Sequence, residues 1–397
     1  MASRSAATFD ALVVGAGPAG AHLAFLLARE GRRVAILDRQ RFPREKVCGG
    51  GLSRKAVALL GCDVAPIVHQ WLKGAFLTFG NRSTLVKDLA RPAGCTVLRS
   101  EFDHLLLTQA CDAGARLFEE AAFLDLRFRG DLVDVATSRG ALSCRRVFAA
   151  DGVASAVRTR LFGRHAVAYV PALEALVRVP AAARERFAER VVLDFGGMPR
   201  GYGWIFPKRD HLNVGVYSPF GGSALRRHLD RFMARYPALE RRLGIEYRGF
   251  AIPLRNDAGA FERGPVALVG DAAGHAEAIG GEGNNVARAS AALAARAAIE
   301  DERGAVPLRY TGLLREALLP ELRAAWRLAR LLFAFPEFSF RHVVSNDRVN
   351  ALFAGVITGD VGYRECLRKV LLAAPRWLFR APATPHDLPP LEPGVPG

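Results

Sequence analysis

Gly15–Gly20 reads G-A-G-P-A-G and directly follows the apolar run Ala11–Val14. An apolar stretch of helical character continues to about Glu30, and a second strand pattern, Arg33–Leu37, ends on Asp38. Glycines at this spacing permit a tight turn and let the backbone approach a pyrophosphate, which rests on the N-terminus of the following helix. Asp38 lies 18 residues beyond Gly20, near the offset of about 20 at which an acid meets the adenosine ribose. The glycine pattern alone is a weak signal. Strand, turn, helix, strand and acid in succession make a dinucleotide site the expectation.

Two more strand ends carry acids. Arg146–Ala150 reads as a buried strand that delivers Asp151-Gly152, and Pro265–Val269 as another that delivers Gly270-Asp271. Ligands bind at the carboxyl ends of parallel strands, and an Asp there can accept hydrogen bonds from a polyol. An isolated Asp-Gly is usually a turn. Two such pairs at strand ends, together with the glycine turn, point to one ligand that crosses all three.

The elements that must position these residues follow from pattern and punctuation. Ser100-Glu101-Phe102-Asp103 predicts a helix start with Ser100 as N-cap, ending at Gly114. Short strands are expected at 115–119, 121–128 and 131–137. From about 166 to 264, strands alternate with glycines, which predicts an antiparallel sheet. An Ala-rich helix is expected over 284–300, and helices dominate from about 307 to 380. The last 17 residues contain six prolines and are expected to form a disordered tail.

The chain is α/β and long enough for a large core. It has 397 residues, half of them hydrophobic, and 55 basic against 39 acidic residues, for a net charge of +16. The excess is spread along the chain and forms no block typical of a nucleic-acid surface, so no nucleic-acid partner is expected. It suits an anionic membrane or a phosphorylated ligand. The cysteines at 48, 62, 95, 111, 144 and 366 show no metal or disulfide spacing. No metal is expected, and neither a signal peptide nor a membrane span is evident, so the expected location is cytoplasmic. The sequence is compatible with a monomer and sets no oligomeric state.

D-G-V-A-S-A-V-R at 151–158 and G-D-A-A-G at 270–274 resemble the second and third FAD motifs of flavoproteins with the p-hydroxybenzoate hydroxylase fold. F-P-R-E-K-V-C-G-G-G-L-S at 42–53 and Y-G-W-I-F-P-K at 202–208 resemble the hallmarks of the geranylgeranyl reductase family. The resemblance implies a Rossmann-like FAD-binding domain of the glutathione reductase type, discontinuous over 1–75, 100–165 and 265–305. It implies an inserted antiparallel substrate-binding domain at 76–99 and 166–264. A C-terminal helical region at 306–380 and the tail at 381–397 complete the chain.

The resemblance implies FAD held by Gly15, Gly17, Gly20, Asp38, Arg99, Asp151, Gly270 and Asp271, with Arg99 on the phosphates. The loop Gly280–Asn285, with Gly281, Gly283 and Asn284, would run beside the isoalloxazine. Its helix N-terminus suits a reduced, anionic flavin, and Asn284 is expected to cap that helix. The loop departs from the family pattern in Ala278-Ile279-Gly280 before it and Asn284-Asn285 after G-E-G. Cys48 and Gly49 would lie at the reacting end, Cys48 as proton donor or pocket wall. Gly49 and Gly50 would leave room for a flat ring or a lipid chain. Tyr202, Trp204 and Phe206 alternate and share one strand face, a wall for an isoprenoid substrate, with Lys208 near the pocket mouth.

The activity implied is FAD-dependent reduction of C=C bonds in an isoprenoid-like lipophilic substrate. A single glycine fingerprint leaves no separate NAD(P)H domain, so the electron donor is transient NADPH or a ferredoxin. Two alternatives stand beside it: an FAD-dependent monooxygenase or halogenase, and a non-catalytic prenyl-binding protein resembling Rab escort proteins. Apolar clusters edged by Arg at Ala324–Phe340 and Leu367–Arg380 suit a peripheral membrane contact as well as ordinary packing.

Overall fold

The computed structural model describes residues 8–163, 167–254, 259–301 and 309–378. The expected tail at 381–397 lies outside them. Among the described residues the strands form sheets of eight, seven and three strands.

The eight-stranded sheet contains the parallel layer. Its central strand, Thr8–Val14, pairs in parallel with Val34–Leu37 on one side and Gly140–Ala149 on the other. Arg116–Phe118 extends the first flank and Val266–Leu268 the second, again in parallel. Val14 lies opposite both Leu37 and Ala149, and Ala149 lies opposite Leu268. The carboxyl ends are therefore flush, and the residues after them form one row. Val34–Leu37 and Val266–Leu268 are buried throughout, as expected of a sheet covered on both faces.

Helices Pro18–Arg29 and Asn284–Glu300 pack against each other through small residues. A Cβ on Gly20 would lie 1.9 Å from the Gly15 carbonyl oxygen, and one on Gly270 2.9 Å from the Ala19 Cβ. No larger side chain fits at either point, and the close approach brings both helix starts to the strand ends. Helix Arg99–Asp112 begins earlier than the sequence suggests. Leu98 is its N-cap and Arg99 its first residue, so Ser100 is not the cap. The Arg99–Asp103 ion pair one turn apart stabilises this start.

The seven-stranded sheet runs in the order Gly244–Pro253, Tyr169–Arg178, Leu212–Tyr217, Tyr202–Pro207, Arg190–Asp194, Gly74–Phe79 and Ser83–Asp88. Its neighbours are antiparallel except Arg190–Asp194 with Gly74–Phe79, which are parallel. On one face Val192, Ile205, Val214 and Val216 pack with Phe232 and Met233 of helix Leu225–Met233. Tyr202, Trp204 and Phe206 alternate with those positions and turn to the other face. In the three-stranded sheet, Gly94–Thr96 pairs with both Gly51–Ser53 and Gln70–Leu72, which anchors the chain after C-G-G-G.

Helices Leu319–Ala334, Asp347–Thr358 and Tyr363–Leu378 close the molecule. Leu332, Phe333, Phe340 and Val344 join the cluster around Tyr202 and Trp204. Leu331, Phe335, Phe338, Leu371 and Leu372 remain exposed. Among the described residues no helix is long and apolar enough to cross a membrane.

Candidate active site

A cavity of about 920 Å³ runs from the glycine turn, past the strand ends and C-G-G-G, to the C-terminal helices. Its lining includes Gly15, Gly17, Asp38, Cys48, Gly49, Arg99, Asp151, Asp271, Gly281, Gly283 and Asn284. Tyr202, Trp204 and Phe206 line the same cavity. The structure therefore brings nearly all the sequence-selected residues to one wall system. Gly20 and Gly270 stand behind it as packing glycines.

The glycine turn is shaped by contact. Gly15 has φ +100°, and a Cβ there would lie 2.4 Å from the Ala150 carbonyl oxygen. At Gly17 the nearest atom to a built Cβ is Arg44 Nη2 at 3.6 Å, so the space in front of this residue is open within the protein. Asp38 binds the turn itself: one carboxylate oxygen accepts the Ala16 N–H at 2.8 Å and the other the Gln40 N–H at 2.9 Å. Asp151 Oδ2 accepts the Ala156 and Val157 N–H groups, while Oδ1 is buried with no hydrogen-bond partner.

No side chain caps two of the helices that start at the cavity. Gly17 precedes helix Pro18–Arg29, and Gly283 precedes the 17-residue helix Asn284–Glu300. Asn284 is the first helical residue and not the cap. Uncapped helix starts carry N–H groups and positive dipole toward whatever lies before them. Glycine cradle, open helix starts and an orphaned carboxylate oxygen fit a dinucleotide with a polyol.

Arg44 and Lys46, to which the sequence assigns no role, flank Arg99 in this region. Arg44 Nη1 and Arg99 share Asp103: Arg44 donates to Oδ2 at 2.8 Å, and Arg99 binds both oxygens at 2.7 and 2.8 Å. Arg99 thus spends part of its fork on Asp103, and it lies beside Cys48. Lys46 Nζ sits 3.0 Å from the centre of the Phe250 ring. Burial lowers its ammonium to about 8 against the opposing pull of Asp271. P-R-E-K was visible in the sequence, but nothing there distinguished these cations from surface charges.

At the other end, Cys48 is a half-buried free thiol, and the Gly50 N–H points to its Sγ at 3.4 Å. A Cβ on Gly49 would lie 3.2 Å from Phe206 and 3.3 Å from Trp204 Nε1. At Gly50, with φ +63°, it would lie 2.2 Å from the Val97 carbonyl oxygen. At both positions a side chain would meet the protein's own packing, and both glycines line the cavity. Lys208 is not at the mouth where it was expected. It is buried behind the loop, with Nζ 2.8 Å from Val97 O and 3.2 Å from Gly50 O.

The aromatic strip is continuous. Ring centres of Tyr202 and Trp204 lie 6.0 Å apart, those of Trp204 and Phe206 6.3 Å, and Tyr202 stacks on Phe333 at 6.5 Å. The loop facing it is held by two acids. Glu277 accepts the Gly280 N–H at 2.8 Å and the Ile279 N–H, and burial raises its carboxyl to about 7. Glu282 accepts from Ser53 Oγ at 2.9 Å and ties the loop to the chain after C-G-G-G. The sequence signal for Glu277 was an acid set among alanines and Ile279.

Residues 8–166 match the family model of an FAD binding domain. The menaquinone reductase of Mycolicibacterium smegmatis is 29% identical over 364 residues, covering 83% of this chain and 85% of that protein. The digeranylgeranylglycerophospholipid reductase 2 of Methanosphaera stadtmanae is 29% identical over 310 residues, covering 74% and 79%. The crystal structure of a geranylgeranyl bacteriochlorophyll reductase-like protein from Thermoplasma acidophilum superposes with a TM-score of 0.71 at 21% identity, over 94% of this chain and 98% of that one. That likeness shows the shared fold. With the matched domain, the cradle at the flush strand ends and relatives named as reductases, the chain is an FAD-dependent oxidoreductase.

Proposed function

We propose that the protein reduces C=C bonds in a polyisoprenoid chain carried by a lipophilic substrate. One observation carries this reading: an aromatic face, Cys48-Gly49 and the dinucleotide cradle share a single elongated cavity. The named relatives act on menaquinone and digeranylgeranylglycerophospholipid, which have a long prenyl chain in common.

In this reading Gly15, Gly17, Asp38, Arg99, Asp151 and Asp271 would hold FAD, with Gly20 and Gly270 packing behind them, within a unit formed by 1–75, 100–165 and 265–305. Gly281, Gly283 and Asn284 would face its ring, and the seven-stranded sheet would form the substrate unit. When bound and reduced, the flavin supplies a hydride equivalent to an alkene carbon. Cys48 Sγ, or a water beside it, holds the proton for the other carbon. Tyr202, Trp204 and Phe206 bind the chain and exclude water, and positioning in a dry pocket offsets the poor reactivity of an unactivated alkene. Electrons arrive from NADPH bound transiently or from a ferredoxin. Exposed Leu331, Phe335, Phe338, Leu371 and Leu372 beside Arg330, Arg341, Arg368 and Lys369 support a peripheral contact with an anionic membrane on the cytoplasmic side.

The test is anaerobic reduction of the purified flavoprotein, then addition of a prenylated lipid or of oxygen. Flavin reoxidation by the lipid, with a saturated bond in the product, is the expected result. Substrate-stimulated oxygen uptake coupled to hydroxylation replaces this reading with a monooxygenase. Protein that cannot be reconstituted with FAD replaces it with a prenyl-binding role.

A further inference from the structure

Behind the C-G-G-G segment lies a polar cluster that the reaction itself does not require. Glu174 sits in the strand Tyr169–Arg178 and is buried, as are Asn213 and Lys208. Its carboxylate faces the backbone N–H of Cys48 and the Asn213 side chain, and Glu174 lies opposite Gly215, two positions along the strand from Asn213 and on the same face. Asn213 Oδ1 accepts the indole N–H of Trp204 at 2.7 Å. From the other side Lys208 Nζ donates to the Gly50 carbonyl at 3.2 Å and the Val97 carbonyl at 2.8 Å.

A buried carboxylate and ammonium are costly to desolvate, and the cost is offset only when each meets partners. Here those partners are backbone groups of a single short segment, residues 48–50, together with its neighbour Val97. The same segment has Gly50 at φ +63°, and Gly49 is pressed against Phe206 and Trp204. One acid faces the amide of Cys48, one cation holds the carbonyl two residues on, and one indole on the cavity wall is bonded to Asn213 beside that acid.

We propose that Glu174 and Lys208 are positioning residues: they clamp Cys48–Gly50 from both sides, and through Asn213 they lock the Trp204 wall in register with the Cys48 thiol. Burial pushes the Glu174 carboxyl up and the Lys208 ammonium down to about 8, and each charge counters the shift of the other. This inference rests on the proposed reaction only for why the Cys48 end of the cavity matters.

The test is peptide-resolved iodoacetamide labelling of the purified flavoprotein, with half-buried Cys62 and Cys111 as internal references. Removing a buried hydrogen bond to a charged group should speed Cys48 labelling about tenfold in Glu174→Leu and in Lys208→Met. Cys62 and Cys111 should keep their rates. Glu174→Gln retains an oxygen for the Cys48 N–H and should stay within about threefold of the parent. In lipid-driven flavin reoxidation, kcat should fall about tenfold in the first two variants, with KM and the flavin spectrum unchanged.

Parent-like Cys48 labelling in whichever of Glu174→Leu and Lys208→Met folds overturns the proposal. Loss of folding in both, with Glu174→Gln stable, also overturns it, because the pair would then support the whole fold. No lipid takes part in the labelling, so failure of the reductase reading is read separately.

Discussion

The hydroxyl of Tyr202 donates to the carbonyl oxygen of Gly280 at 2.7 Å. This bond joins the aromatic strand of the seven-stranded sheet to the loop that opens helix Asn284–Glu300. Tyr202→Phe keeps the ring contacts with Trp204 and Phe333 and removes only the bond. Stability should fall by on the order of 1 kcal/mol, read as a shift in the denaturation midpoint, with the flavin still bound.

Gly17 and Gly20 should fail differently. A side chain at Gly17 has space within the protein, so Gly17→Val should fold with near-parental thermal stability and copurify without flavin. Gly20→Val would drive a Cβ to 1.9 Å from the Gly15 carbonyl oxygen and should lose soluble expression as well. Full FAD occupancy in Gly17→Val contradicts the cradle.

Trp204→Ala should weaken binding of long prenyl chains more than short ones, because each methylene buried contributes about 0.8 kcal/mol. Dissociation constants for a homologous series of chains measure this. Equal losses at every length assign Trp204 to packing alone.

Cys48→Ser should reduce single-turnover reoxidation by lipid about a hundredfold, the usual contribution of a general acid, while the visible flavin spectrum stays the same. An unchanged rate under chemistry-limited conditions leaves Cys48 as a pocket wall.

Glu277 should make stability depend on pH. Its folded carboxyl titrates at about 7 against an ordinary 4.5, so the folded state holds the proton more tightly. The resulting stability is fully present below about 4.5 and is lost as pH rises through about 7, by on the order of 3 kcal/mol. Glu277→Gln should flatten that slope in denaturant titrations between pH 5 and 8.

The cradle was legible because turn chemistry and buried parallel strands leave local marks: glycines at fixed spacing, and acids directly after apolar runs. The period of two at Tyr202, Trp204 and Phe206 likewise put them on one face. The supporting polar groups were not legible, since sheet pairing alone brings Glu174 and Lys208 to residues 48–50 and Asn213 to Trp204. Glu174 did leave a trace, as an acid inside the apolar run Ala172–Val177. Ser100 was misread because a serine before an acid resembles a cap, whereas the Arg99–Asp103 pair stabilises a start two residues earlier.

The two ends of the cavity are built from separate parts of the chain. The glycine turn and strand-end acids belong to the parallel layer, while Leu332, Phe333, Val344, Phe353 and Ile357 line the far end from the closing helices. Ribosomal synthesis delivers those helices after the cradle, so the cofactor cradle can assemble before the far end of the cavity closes. The same separation makes the closing helices an exchangeable module: altering their inward residues should retune which chain lengths are accepted without touching the redox machinery.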